Sequence, residues 1–125
     1  MKMVKRTRAI PEGARKLGIK DAIVEHGSRW VIDRIIIQHG TKDDPDKTLY
    51  ACFIRDTDDF VFAPTFPAAE IADTISSMGG VDALNDTLKS DPWVVSVRSE
   101  KRTSKSGRTY DAYVFDDTDA DDLPF

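Results

Sequence analysis

The sequence predicts a small domain that is mainly β, in which five strands are joined with a small helical insertion. Three observations lead to this prediction. The chain has 125 residues, of which 40% are hydrophobic, so it can build one modest core. Five segments are dense in β-branched and aromatic residues, which favour strands. Between the third and the fourth of these segments, apolar residues recur at helical spacing instead.

The first three strands follow from the composition of residues 29–63. Residues 29–39 hold a tryptophan among valines and isoleucines and predict a strand that is buried on much of both faces. Residues 40–47 are turn formers and charges, and they predict a loop. Residues 48–55 and 60–63 resume β character on either side of an acidic turn, as an antiparallel hairpin requires.

The helical insertion begins after the third strand. Pro67 falls in the first helical turn, where its missing N–H donor is harmless. Ile71 and Ile75 follow at helical spacing until Gly79 stops the helix. Residues 81–90 predict a second short helical piece.

The last two strands, residues 93–98 and 110–115, enclose a basic hairpin loop over 99–109. Upstream of the first strand, residues 19–25 predict a short N-terminal helix, and residues 11–18 leave room for one short helical turn. The resulting order, β-β-β-α-β-β, is that of the five-stranded barrel called the oligonucleotide/oligosaccharide-binding (OB) fold. We therefore expect a five-stranded OB-fold barrel.

Charge is distributed unevenly along the chain. The net charge is −4, yet residues 1–20 hold seven basic residues and one acid, and residues 116–125 hold five aspartates and no base. We expect a basic N-terminal arm (1–18), an OB domain (19–115) and a disordered acidic C-terminal tail (116–125). Without the tail, 18 bases face 17 acids and the balance is +1. The average charge therefore does not argue against binding to a polyanion.

The composition excludes several classes of site. The single cysteine, Cys52, forbids an internal disulfide, and one cysteine with two histidines cannot build a Cys/His zinc site. No segment matches a calcium loop, a phosphate loop or a nucleophilic triad, so we expect no enzyme, no catalytic residue, no cofactor and no metal. No apolar run approaches the length of a membrane span, and no signal-peptide core follows the basic N-terminus. We expect a cytoplasmic protein without a membrane partner.

The extreme C-terminus presents a small apolar plug among negative charges. Asp121 and Asp122 precede Leu123, Pro124 and Phe125, and a partner with a hydrophobic pocket beside an Arg or Lys could grip them. This ending closely resembles the acidic tip, Asp-Asp-Ile/Leu-Pro-Phe, that ends bacterial and phage single-stranded DNA-binding proteins. The resemblance implies that the tip docks replication, recombination and repair proteins, with the final Phe and the preceding Pro as its essential part.

A second resemblance to the same family is more diffuse. Residues 104–110, Ser-Lys-Ser-Gly-Arg-Thr-Tyr, are similar to the hairpin that leads into the last strand of phage-type OB proteins, and residues 30–33 resemble their first strand. The chain departs from the common bacterial pattern because it lacks a long Gly/Gln/Pro-rich linker before the tip. The resemblance implies a phage- or prophage-type protein that binds single-stranded DNA without sequence preference.

A single strand needs cations for its phosphates and aromatic faces for its bases. On this basis we predict nine DNA-contacting residues, namely Arg34, Tyr50, Arg55, Arg98, Lys101, Arg102, Lys105, Arg108 and Tyr113. Tyr50 is included because period-two alternation assigns Ala51 and Phe53 to the core and leaves Tyr50 on the other face. The alternation does not decide which way Phe60 and Phe62 point.

The alternative is an interaction adaptor or inhibitor on the same barrel. Such a protein would use the acidic tip to engage host replication proteins without binding DNA itself. Titration with a fluorescent oligo-dT distinguishes the DNA-binding hypothesis from the adaptor hypothesis. A 14.0 kDa chain offers only a short DNA path, which a homodimer would lengthen.

Overall fold

A computed structural model describes residues 10–40 and 43–118. Its strands are β1 (Arg15–Lys16), β2 (Arg29–His39), β3 (Thr48–Ile54), β4 (Asp59–Phe62), β5 (Trp93–Thr103) and β6 (Thr109–Asp117). Its helices are α1 (Ile19–His26), α2 (Thr65–Met78) and α3 (Val81–Ser90). The mainly β class, the five predicted strands and the helices between the third and fourth of them are confirmed. No helix among the described residues is long and apolar enough to cross a lipid bilayer.

The strands form one curled, mixed sheet in the order β1-β4-β3-β2-β5-β6, which is a half-barrel. Neighbouring strands are antiparallel except at one edge, where β1 runs parallel to β4. Within the described residues, β1 therefore covers the free side of β4, and β6 forms the opposite edge. The sheet has one strand more than the five expected, because the two-residue β1 is added beside β4.

The segment before α1 differs from its prediction. A turn in which the Ala14 amide donates to the Pro11 carbonyl replaces the expected helical turn, and β1 follows directly. Leu17 is buried, and Ile10 packs against apolar side chains of the sheet. The described part of the predicted N-terminal arm thus belongs to the folded domain.

The main core lies on the face of the sheet that carries the three helices. Its buried strand residues are Trp30, Ile32, Ile35, Cys52, Ile54, Val61, Val95, Val97 and Phe115. The helices pack four buried side chains against these strand residues, namely Ala22, Ile71, Leu84 and Leu88. The rings of Trp30 and Phe115 meet edge to face with 5.5 Å between centroids, an arrangement that favours aromatic pairs.

A smaller apolar cluster lies on the opposite face of β3 and β4. Phe53 and Phe60 are buried there, with Phe62 packed against them, so both phenylalanines of β4 point away from the helices. Ala51 and Phe53 are buried as predicted, but the helices cover the other side of β3, so Tyr50 does not lie on an open face. Both faces of β3 are buried, and alternation alone cannot rank two buried faces.

The ladder between β2 and β5 is short. It ends at the pair of Ile32 with Trp93, although β2 continues to His39 alongside β3. Just beyond this end, the Asn85 side chain of α3 takes the place of a strand. Its amide nitrogen donates to the Ile35 carbonyl at 2.9 Å, and its carbonyl accepts the Ile35 N–H at 2.8 Å. The backbone N–H and C=O of buried Ile35 are thereby satisfied on the side where β5 no longer accompanies β2.

β6 continues two residues past Phe115. Asp116 and Asp117, which the charge pattern places in the acidic tail, therefore pair with Ser96 and Val95 in the sheet.

The double hydrogen bond of Asn85 makes this side chain a stability determinant. We expect Asn85→Ala to lower the free energy of unfolding by about 2–4 kcal/mol, because each buried backbone group left unpaired costs about 1–3 kcal/mol. Asp86→Ala, on the exposed side of the same helix, is the control and should change it by less than about 0.5 kcal/mol. Urea unfolding followed by circular dichroism measures both. Equal midpoints for the two variants would contradict this role.

Candidate nucleic-acid interface

The β5–β6 hairpin projects beyond the rest of the sheet. β2 pairs only with the first part of β5, Trp93–Ser96, and the residues beyond it pair with β6 alone up to Thr103 and Thr109. The Ser104 amide donates to the Arg108 carbonyl at 2.8 Å and closes the loop. Gly107 adopts φ 84°, a left-handed conformation in which a side chain is strained. The loop therefore has a defined shape, which fixes where its charges lie.

Two of the five predicted cations of the hairpin are held by carboxylates of the same hairpin. Arg98 Nε lies 2.6 Å from Asp116 Oδ2, and Arg98 also lies 3.9 Å from Glu100. The hydrogen bond that Arg98 donates to Asp116, together with the charge of Asp116, raises the pKa of Arg98. Arg102 lies 2.9 Å from the same Glu100. These guanidinium groups are partly neutralised before any ligand arrives.

The other three cations of the hairpin are exposed. Lys101, Lys105 and Arg108 take part in no ion pair within the described part of the chain. They therefore carry positive charge that the fold itself does not compensate.

Two large aromatic side chains are exposed, one at the start of α2 and one on β6. The Arg102 guanidinium lies over the Phe66 ring of α2, 3.9 Å from its centroid, and Arg102 stands directly opposite Tyr110 in the β5–β6 register. Phe66 is 44% exposed and Tyr110 is 47% exposed. The Arg102 Nε is buried, and no acceptor among the described residues bonds to it. The surface formed by Phe66, Lys101, Arg102, Lys105, Arg108 and Tyr110 is called the hairpin surface below.

The two tyrosines predicted as stacking platforms do not lie on this surface. Tyr50 and Tyr113 are half-buried and pack against the main core. Tyr110 was missed although alternation already separates it from Tyr113 and Phe115, and the burial of Phe115 decides which side is the core. Phe66 was missed because it belongs to α2, and only the fold brings it beside the hairpin.

Arg34 and Arg55 lie outside the hairpin. Arg34 is exposed on β2 and covers the Phe53 ring at 4.1 Å, and Lys16 of β1 lies 5.3 Å from the Phe62 ring. Arg55 is exposed in the turn after β3. Phe53 is only 1% exposed, so the ring under Arg34 offers no free face to a base. This second cationic area can attract phosphates but not stack bases in the described conformation.

No family model, curated protein or solved structure matches the chain. The site is therefore judged by its own geometry. The five predicted partner-binding residues, Asp121, Asp122, Leu123, Pro124 and Phe125, lie outside the described residues. Among the described residues, the hairpin surface is therefore the place at which the predicted binding site can be judged.

A second polar cluster joins β1, α1 and β4. Arg15 donates through Nε to Asp59 Oδ1 and through a terminal nitrogen to Asp59 Oδ2, both at 2.8 Å, and it also contacts Glu25. His26 Nε2 lies 2.8 Å from Asp59 Oδ2. Glu25, His26 and Asp59 could together ligate a metal ion. The guanidinium of Arg15 instead supplies the positive charge between the two carboxylates, so the cluster acts as a clasp that ties β1 to the domain.

This clasp makes stability depend on pH in the acidic range. The hydrogen bond from Arg15, supported by His26, lowers the pKa of Asp59 from 3.8 to about 2 against the opposing effect of burial. The unfolded chain therefore takes up the proton first as the pH falls. The stabilisation by Asp59 is fully present above about pH 4 and is lost as the pH falls towards 2.

We expect Asp59→Asn to lower stability at pH 7 and to weaken the fall in stability between about pH 4 and 2. Asp58→Asn, at the exposed neighbouring position, is the matched control and should keep the wild-type profile. Thermal melting measured across this pH range tests the prediction. Parallel profiles for the wild type and Asp59→Asn would show that the clasp does not stabilise the fold.

Proposed function

We propose that this chain binds single-stranded DNA without sequence preference through the hairpin surface. The observation that carries the proposal is the placement of Arg102 over Phe66 and opposite Tyr110, with both rings exposed. Lys101 precedes Arg102 on β5, and Lys105 and Arg108 lie in the loop that follows, all three exposed and without an ion pair to another described residue. Exposed rings beside free cations are what an unpaired strand requires, because bases stack on the rings while phosphates meet the charges.

The chemistry of the surface favours binding that ignores sequence. Its side chains are lysines, arginines and aromatic rings, and every base has a face that can stack. Lysines approach phosphates as point charges and carry no base information. Duplex DNA keeps its bases stacked on one another, so the rings at Phe66 and Tyr110 add affinity only for an unpaired strand.

The strand order supports an OB-type domain. β2, β3 and β4 form a meander, α2 and α3 follow, and β5 joins the far side of β2 with β6 beside it. This is the connectivity of a five-stranded Greek-key barrel opened between its third and fifth strands, with β1 along the third. On this assignment the hairpin loop is the last interstrand loop, which OB proteins use for oligonucleotides.

The C-terminal tip supports a second activity of the same protein. Leu123, Pro124 and Phe125, preceded by Asp121 and Asp122, would dock replication, recombination or repair proteins in a bacterium or a phage-infected cell, as the resemblance to the single-stranded DNA-binding family implies. Since β6 runs to Asp117, a tail truncation that spares the sheet begins after that residue.

Reversal of the free charges tests the electrostatic part of the proposal. We expect Lys101→Glu/Lys105→Glu/Arg108→Glu to weaken binding of a fluorescent oligo-dT more than tenfold at low salt. The slope of log K against log salt should fall by about 2, since each phosphate contact with a single strand contributes about 0.7. Fluorescence anisotropy at several salt concentrations measures both quantities.

The matched control moves the same change of charge to other parts of the surface. Lys20→Glu/Lys47→Glu/Lys89→Glu places three reversals on α1, the loop after β2 and α3, all at exposed positions. It should retain most of the affinity. If the two triple variants weaken binding equally, only net charge matters and the hairpin is not the site. If the wild-type chain does not bind oligo-dT at low salt, the adaptor alternative replaces the proposal.

Removal of the exposed rings tests stacking separately from charge. We expect Phe66→Ser/Tyr110→Ser to weaken oligo-dT binding by about 10-fold or more while the salt slope stays unchanged, because stacking contributes about 1–3 kcal/mol per base without releasing counterions. Val24→Ser is the control, since Val24 is an 84% exposed apolar residue on α1. A double variant that binds like the wild type would rule out base stacking at this surface.

A further inference from the structure

A groove of about 340 Å³ lies between α2, α3 and the start of β5. Its apolar lining includes Ile35 and Ile71 from the main core together with Met78 and Trp93, which are only partly buried. The groove is on the helix-bearing face of the sheet, and none of the residues of the hairpin surface lines it. Its volume and apolar lining suit the binding of a few side chains of a peptide.

The rim of the groove is acidic. Glu70, Asp91 and Asp117 line it, and no lysine, arginine or histidine does. None of the three carboxylates forms an ion pair within residues 10–40 and 43–118. Asp117 accepts a hydrogen bond from Trp93 Nε1 at 2.6 Å and is thereby fixed at the groove edge. An apolar groove whose rim carries negative charge without described ion-pair partners favours binding of a segment that is both apolar and basic.

The chain itself contains such a segment. Residues 1–9, Met-Lys-Met-Val-Lys-Arg-Thr-Arg-Ala, carry four basic and no acidic residues, and they hold two methionines and a valine. These residues precede Ile10, the first described residue. Fully extended, a segment of this length reaches about 30 Å, which is enough for its side chains to enter a neighbouring molecule.

We propose that the groove binds residues 1–9 of a second copy of the chain. A second copy is favoured over the same copy because Ile10 packs against Phe53 and Phe60, on the face of the sheet opposite to the groove. β1, paired with β4, holds the chain at the edge of the sheet opposite to β5, whose start borders the groove. Residue 10, to which the basic segment is joined, therefore lies on the side of the sheet away from the groove of its own copy. A contact of this kind is heterologous, and each copy offers one segment and one groove.

The test measures self-association of the full chain without DNA, so its outcome is independent of the proposed DNA binding. Sedimentation velocity over a range of concentrations at low salt should show a mass that rises above 14.0 kDa. Added salt should weaken the association, because the contact joins opposite charges. Deletion of residues 2–9 should leave a monomer throughout the same range.

Charge exchange assigns the contact to the groove. We expect Glu70→Lys/Asp91→Lys to weaken association at least tenfold, and Lys5→Glu/Arg6→Glu in the same chain to restore it. Both groove positions are exposed and form no ion pair with another described residue, so the fold should tolerate the change. Glu12→Lys/Asp21→Lys, exposed on another part of the surface, makes the same change of charge and should leave association intact.

Three results would overturn the proposal. The first is a wild-type chain that stays monomeric at every concentration. If a synthetic peptide of residues 1–9 nevertheless binds the truncated chain, the groove holds the segment of its own copy and the proposal is overturned as well. The second is an association that survives deletion of residues 2–9. The third is equal weakening by the groove pair and the control pair, which would show a dependence on net charge alone.

Discussion

The short ladder between β2 and β5 is the constraint on which the rest of the structure depends. β2 has eleven residues and pairs with β3 along most of its length, whereas β5 accompanies it only over Arg29–Ile32. On one side of this contact, the hairpin runs on without support from β2. On the other side, β5 no longer accompanies β2. The Asn85 side chain of α3 hydrogen-bonds the backbone of Ile35 in its place. The free hairpin and the docking of α3 are two consequences of one mismatch in strand length.

The same mismatch separates two surfaces of opposite charge. The hairpin carries the uncompensated cations at Lys101, Lys105 and Arg108, while the space where α2 and α3 meet the start of β5 becomes a groove with an acidic rim. The net charge of −4 of the whole chain therefore describes neither surface. A charge average over a small chain is informative only after the fold has assigned each charge to a face.

Signals that are local in sequence predicted most of the fold. The density of β-branched residues in Arg29–His39 and the glycine stop at Gly79 placed β2 and α2 correctly, because each depends on neighbouring residues alone. β1 could not be found in this way, since two residues have no period and their pairing with β4 is a tertiary event. Likewise, the exposure of Phe66 and the burial of Tyr50 depend on which face the helices cover. The cations of the hairpin were predictable, and the rings beside them were not.

The paired arginines decide how the hairpin surface would respond to a nucleic acid. Arg98 and Arg102 share Glu100, and the side chains of Arg98 and Asp116 are both about half exposed, at 51% and 44%. Ion pairs this open to water contribute little to stability, so a phosphate can take the place of a carboxylate at small cost. Until then the carboxylates hold the guanidinium groups in fixed positions, and Arg102 stays over Phe66. The acidic residues of the hairpin therefore hold its arginines in an ordered arrangement, which would lower the ordering cost of the proposed strand binding.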